Sequence, residues 1–405
     1  MTRLLIRDLA QLATPSADGA PLRGSALREV TVLEHAFVLC NDGVIEQVGR
    51  MSELGPMAGE LEELDGRGLA AVPGLVDCHT HPAFGADRVE EFSLRAGGAS
   101  YEELHAAGGG ILATVRATRV LDADGLRAQV ELHAGWMLAH GTTTWEGKSG
   151  YGLDRDTELA SLAAIRDAGG SPTWLGAHAV PPEFADGDAY LDFALGDVLP
   201  DAAHVATAAD VFLEQGAFDA TQARRYLEAC RDAGLALRLH GDQFTESGAI
   251  PLALELAARS VDHLEATGSD GVRALAGSHV AGVLLPASAL FLDRPMPPAR
   301  ELVDAGAAIA LATDFNPGSS FTTSLPFVCS LACTQLHLSP AEALSAVTVN
   351  AAHVLGCAGD RGRIAGGNRA DLVLLAAPDW RYLSYHLAGD IVAAVVRDGV
   401  VAYRR

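Results

Sequence analysis

Eight apolar runs of strand length, set apart by helix-length stretches, run from residue 70 to residue 314. They end near His79 and at Lys148, Val180, Glu214, His240, Glu265, Pro286 and Asp314. The stretches between them, such as GLRAQVELHAGWMLAHG and ATQARRYLEACRDAG, space their apolar residues three and four apart, as an amphipathic helix does. Strand and helix in alternation predict a parallel α/β sheet. Polar residues stand at almost every strand end: His79, His81, Lys148, His178, His240, His263 and Asp314. A doubly wound sheet accounts for the alternation but not for that scatter. A (β/α)8 TIM-type barrel accounts for both, because its active site gathers at the C-terminal ends of the strands.

The two ends of the chain follow another pattern. LLIRDL, EHAFVLCNDG and VIEQVGR read as short strands with an Asn-Asp-Gly hairpin signal, and near the C-terminus ADLVLLAAP and DIVAAVVRDGVVAYRR repeat the theme with Asp-Gly. Residues 1–68 with 358–405 are therefore expected to form one small β-sandwich-like domain beside a barrel of residues 69–357.

The formal charge of −23 with no basic run argues against nucleic acid or an anionic membrane as partner. No apolar run reaches the roughly 20 residues of a membrane helix. The six cysteines form no CxxC pair, and the first residues lack a signal-peptide pattern, so a cytoplasmic protein acting on a small molecule is expected.

The run Ala70–His81 reads as one apolar strand closing on His79 and His81. Residues i and i+2 of a strand share a face, so two imidazoles can meet one metal ion there. His240, after LALRL, is the candidate third ligand and Asp314, after AIALAT, the fourth. Taken singly, His240 reads as a core histidine and Asp314 as a turn residue before Asn316. Four polar residues on one rim favour a metal centre. Such an ion lowers the pKa of water from 15.7 to about 7, so hydrolysis is the expected reaction, with Asp314 taking and returning the proton. Lys148 is the one lysine and follows the second run, so a two-metal site bridged by a carbamylated mid-barrel lysine is not expected. Arg88 and Tyr151, after the first and second runs, could anchor an anionic substrate.

The segments PGLVDCHTHPAFGADRVEEFSLRAGGASYEELHAAGGGILATVRATR, TTTWEGKSGYGLDRDTELA, LGAHAVP, SVDHL and LATDFNPGSSFTTSLPF resemble the imidazolonepropionase family of the amidohydrolase superfamily. His-Thr-His marks only the superfamily; KSGYGLD and TDFNPGS are narrower. The resemblance implies ring opening of 4-imidazolone-5-propanoate by a homodimer with one Zn or Fe per chain. It implies His79, His81, His240 and Asp314 as ligands, with His263 polarising the scissile carbonyl or steadying the water. Arg88, Tyr151, His178, Asn316, Gly318 and Ser319 would hold the substrate. One position departs: where the family commonly has Ala-Asp-Glu after the third histidine, this chain has Gly241-Asp242-Gln243. Gln243 can hydrogen-bond the ring but carries no proton at neutral pH. Two rivals remain, a heterocycle deaminase of the same superfamily and a non-catalytic barrel scaffold. Gln243 counts against the first and the full ligand set against the second.

Overall fold

The computed structural model describes residues 3–16, 19–57, 59–98 and 109–405. The stretch 99–108, within the longest family-like segment, lies outside the described residues. Strands β1 (Arg3–Pro15), β2 (Val30–Asn41), β3 (Val44–Arg50), β4 (Glu62–Asp65) and β5 (Ala70–Pro73) come first. The barrel strands follow: β6 (Leu75–Asp77), β7 (Thr142–Lys148), β8 (Ser171–Ala177), β9 (Ala208–Leu213), β10 (Ala236–Gly241), β11 (Ser260–His263), β12 (Ala281–Leu284) and β13 (Ala308–Leu311). Strands β14 (Leu372–Leu375), β15 (Val392–Arg397) and β16 (Val400–Arg404) end the chain.

All eight expected barrel strands are present, parallel and in sequential order from β6 to β13. Helices follow each of them, including Ala123–Ala139, Arg155–Asp167 and Ala220–Asp232. Side chains of Asp122, Asp154 and Asp219 accept from the first-turn amides of these three helices, which fixes where each begins. The ring closes beyond its strand ends. Thr80 bridges Phe315 in parallel, Asp314 N–H donates to His79 O at 3.0 Å, and His81 N–H donates to Phe315 O at 2.8 Å. Below that seam the Asp77 carboxylate accepts from Thr313 N–H at 3.1 Å and from its hydroxyl at 2.6 Å.

Both chain ends build one mixed sheet in the order β16-β15-β14-β5-β1-β2-β3, with β4 beside β1. Ile45 of β3 shares a core with Leu372, Leu374 and Val396 from the far side of that order, so the sheet curls over itself. The Asp42-Gly43 and Asp398-Gly399 turns have positive φ at both residues, the conformation that matches hairpin twist.

Two expectations change. The first strand does not stop at LLIRDL: Asp8 takes φ +56° at a bulge, and β1 continues to Pro15. The run Ala70–His81 is not one strand. It breaks at Gly74, with β5 in the end sheet and β6 in the barrel. A Cβ at Gly74 would overlap the side chains of Thr143 and Asp371, so glycine lets the chain cross between the sheets.

Candidate active site

Outward residues of the barrel strands, such as Leu237 and Leu239, are buried in the apolar core. Residues of the opposite parity carry charge. Glu146 and Lys148 share one face of β7, Arg238 and His240 one face of β10. The Lys148 ammonium lies 2.7 Å from Glu146 and 2.8 Å from Asp210, and 3.8 Å from Asp262; Arg238 lies 3.5 Å from Glu146. All five side chains are buried. Burial works against the Lys148 charge, but Asp210, Glu146 and Asp262 outweigh it and raise its pKa, so it stays an ammonium. An ammonium held between carboxylates leaves no free amine to form a carbamate.

This floor aims the histidines above it. A carboxylate can only accept, so His79 Nδ1–H donates to Asp262 at 2.6 Å and His240 Nδ1–H donates to Asp210 at 3.0 Å. Their Nε2 atoms are then lone-pair acceptors, and each faces Nε2 of His81 at 3.3 Å. Asp314 adds Oδ1 at 3.5 Å from His79 Nε2 and 3.4 Å from His81 Nε2. Three imidazole Nε2 atoms and one carboxylate oxygen therefore converge, a donor set that a cation can use once it has displaced any Nε2 proton. Two nitrogens bound to one tetrahedral zinc at about 2.0–2.1 Å stand about 3.3–3.4 Å apart. Spacing and donor set both fit a metal ion.

The charges agree with that fit. Burial and Lys148 push His79 down, but Asp262 and Asp314 overrule them and raise it to about 9. That field favours positive charge at Nε2, and a cation held there would take the place of the proton. Burial would raise the Asp314 carboxyl, yet hydrogen bonding with His79 and His81 keeps it well below the usual range. Among the described residues, the groups of potential ligands are His79, His81 and Asp314, and His79, His240 and His263.

The backbone is strained where these groups leave the strands. Asp242, His263, Leu264 and Asp314 have φ of +54°, +88°, +70° and +53°. Such conformations cost about 1–3 kcal/mol each and persist only where the surroundings impose them. At Asp314 the seam bond from its own N–H and the bond from Asn316 Nδ2 to its carbonyl, 2.7 Å, do so.

Of the expected substrate residues, Tyr151, His178 and Ser319 lie against this cluster. Tyr151 is buried with its ring centre 6.1 Å from His81 and 5.2 Å from His178. His178 Nδ1–H donates to Gly150 O at 2.9 Å, leaving Nε2 as an acceptor. Burial, reinforced by His240, lowers His178 to about 4, so the ring is neutral at neutral pH. Arg88 is already paired: Nε and Nη2 bind Glu91 at 2.8 and 2.5 Å. Its Nη1 lies where a Cβ on Gly318 would be. Asn316 is used inside its own loop, its Oδ1 accepting from Gly318 and Ser319 N–H at 2.8 Å each. Ser319 Oγ lies 3.5 Å from Asp314 Oδ2. Gln243 is buried, 8% exposed, just past the end of β10. Phe84 and Phe315 pack with Tyr151, while Trp145 belongs to a separate core cluster.

Sequence reading assigned no role to Asp210, Asp262, Glu91 or Glu158. Glu158 accepts from the backbone N–H groups of Gly150, Gly152 and Leu153 at 2.8–3.1 Å, which shapes the loop that carries Tyr151. For Asp210 and Asp262 the available signal was a lone carboxylate inside a barrel strand, AADVFL and SVDH.

Known proteins share the fold and the sequence. The amidohydrolase family profile matches residues 70–402. An imidazolonepropionase of Rubrobacter xylanophilus is 59% identical, covering 98% of both chains, and one of Chloroflexus aggregans is 45% identical with the same coverage. Among solved structures, E. coli guanine deaminase aligns over 100% of both chains with a TM-score of 0.72 at 16% identity. The atrazine chlorohydrolase of Arthrobacter aurescens, complexed with zinc, aligns over 99% of this chain and 95% of its own with a TM-score of 0.73 at 20% identity. These two show the fold alone. With that metal cluster at the mouth of an amidohydrolase barrel, and with sequence identity running the full length of the chain, the protein belongs to the imidazolonepropionases, metal-dependent cyclic amidohydrolases of histidine degradation.

Proposed function

We propose that His79, His81, His240 and Asp314 hold one Zn or Fe ion and that the site opens the ring of 4-imidazolone-5-propanoate to give N-formimidoyl-L-glutamate. The convergence of three imidazole nitrogens and one carboxylate oxygen within 3.3–3.5 Å contacts carries this reading. The zinc in the atrazine chlorohydrolase structure makes zinc the first choice. Bound there, the ion supplies Lewis acidity and makes water a nucleophile at neutral pH.

The residues of the chain do the rest. Asp314 takes the proton of the attacking water and passes it to the ring nitrogen that leaves the carbonyl carbon. His263 steadies the water or polarises the scissile carbonyl. Arg88 pairs with the propanoate through Nη1, the edge that Glu91 does not occupy. Tyr151 and neutral His178 hold the ring, with Gln243 at its edge and Gly318 and Ser319 on the loop side. Asn316 acts by fixing that loop. A homodimer in the cytoplasm belongs to the same proposal, as does a division into residues 1–68 with 358–405 and residues 69–357. Among the described residues, no helix is long and apolar enough to cross a membrane.

The test is ultraviolet-monitored loss of 4-imidazolone-5-propanoate by metal-replete protein, with ammonia assayed in parallel. Ring opening without ammonia is expected. Ammonia release from a heterocycle, with the imidazolone untouched, would overturn the reading in favour of a deaminase.

A further inference from the structure

Glu265 is a carboxylate at this mouth that the mechanism above does not use. Its side chain is 3% exposed, and Oε1 lies 3.4 Å from His263 Nδ1. Its Oε2 is buried without any hydrogen-bond partner. A buried carboxylate oxygen without a donor from the chain is unfavourable, and a bound ligand or water that donates to it removes the penalty.

The backbone sets Glu265 beside Gln243. Strands β10 and β11 pair Gly241 with His263, and beyond that pair Leu264 N–H donates to Gly241 O at 3.3 Å and Ala266 N–H to Asp242 O at 2.7 Å. Residues 242–243 and 264–265 therefore leave the barrel side by side, Gln243 level with Glu265. Asp242 fixes the turn: its carboxylate accepts from the Thr267 hydroxyl at 2.9 Å and from Ser247 N–H at 2.9 Å. The positive φ of His263 and Leu264 breaks strand alternation and brings a residue two positions after His263 back to that ring.

We propose that Glu265 is a substrate-binding carboxylate of this site, resting on the ring-opening reading above. Oε1 accepts the Nδ1–H of His263 and so holds that ring with Nε2 toward the metal cluster. Oε2 accepts the N–H of the ring nitrogen that stays bonded to the propanoate-bearing carbon, while Gln243 offers its amide alongside. The site thereby selects cyclic amides that carry a free N–H next to the substituted carbon, because an analogue without it leaves Oε2 unpaired.

The experiment compares 4-imidazolone-5-propanoate with its analogue methylated on that nitrogen, using metal-replete wild type, Glu265→Gln and Glu265→Asp. Wild type is expected to prefer the parent by a factor of about 100 or more in kcat/KM. Glu265→Gln, which presents an amide donor to the N–H, is expected to lose most of that preference. Its activity on the parent should fall about 100-fold, while metal content and thermal midpoint stay at wild-type values. Glu265→Asp keeps the charge on a shorter stem and should retain part of the preference, giving a second reading if the glutamine variant does not fold. A preference unchanged in either folded variant overturns the proposal. Wild type that leaves the parent imidazolone intact fails the ring-opening reading instead.

Discussion

His178 shows how far a buried side chain can be pushed once its neighbours are known. Burial holds it at about 4, whereas an unfolded histidine titrates near 6.5. Between those values the unfolded chain binds a proton that the native chain refuses, so the stability due to neutral His178 is complete above about pH 6.5 and is lost as pH falls toward 4. The span corresponds to about 3 kcal/mol. Urea unfolding of His178→Gln across that window should show a shallower acid loss than wild type by roughly this amount; parallel curves would refute the account. The cluster of His79, His81, His240 and Asp314 was legible in the sequence because apolar strands ended on or just before these residues. Their carboxylate partners were not, because Asp262 meets His79 from a strand 183 residues away, a pairing that no local spacing encodes. The Arg88–Glu91 pair was closer to hand, since residues three apart at a helix start can meet.

At the scale of elements, the loop after β13 and the segment after β6 act as one part. Gly318 has no side chain where the Arg88 guanidinium rests, and its φ is not left-handed, so alanine would strain no backbone. It would displace only the end of a flexible side chain. Gly318→Ala is therefore expected to fold with a wild-type melting temperature and to raise KM about tenfold with kcat little changed, because a carboxylate contact made equally in ground and transition state is weakened. Steady-state kinetics on the imidazolone checks this, and a fall in kcat with KM unchanged would place Arg88 away from the propanoate. The eight strands and the two Asp-Gly hairpins were readable from apolar runs and turn chemistry. The break at Gly74 was not, because AAVPGLV is apolar throughout and its change of sheet is decided by Asp371 and Thr143, far along the chain.

At the scale of the whole molecule, the barrel is joined at its last gap by the same residues that are proposed to hold the ion. Thr80 bridges Phe315, and the flanking bonds run from Asp314 to His79 and from His81 to Phe315. Chelation should therefore speed amide hydrogen exchange first at residues 78–81 and 313–316, while the sheet formed by the two chain ends keeps its protection. Uniform acceleration along the chain, or none at the seam, would contradict this. An ion held there would be a rivet as well as a reagent. A cell short of metal would hold not an idle but sound enzyme; it would hold a cylinder ajar along one stave, open to proteases at the same place where its chemistry had stopped.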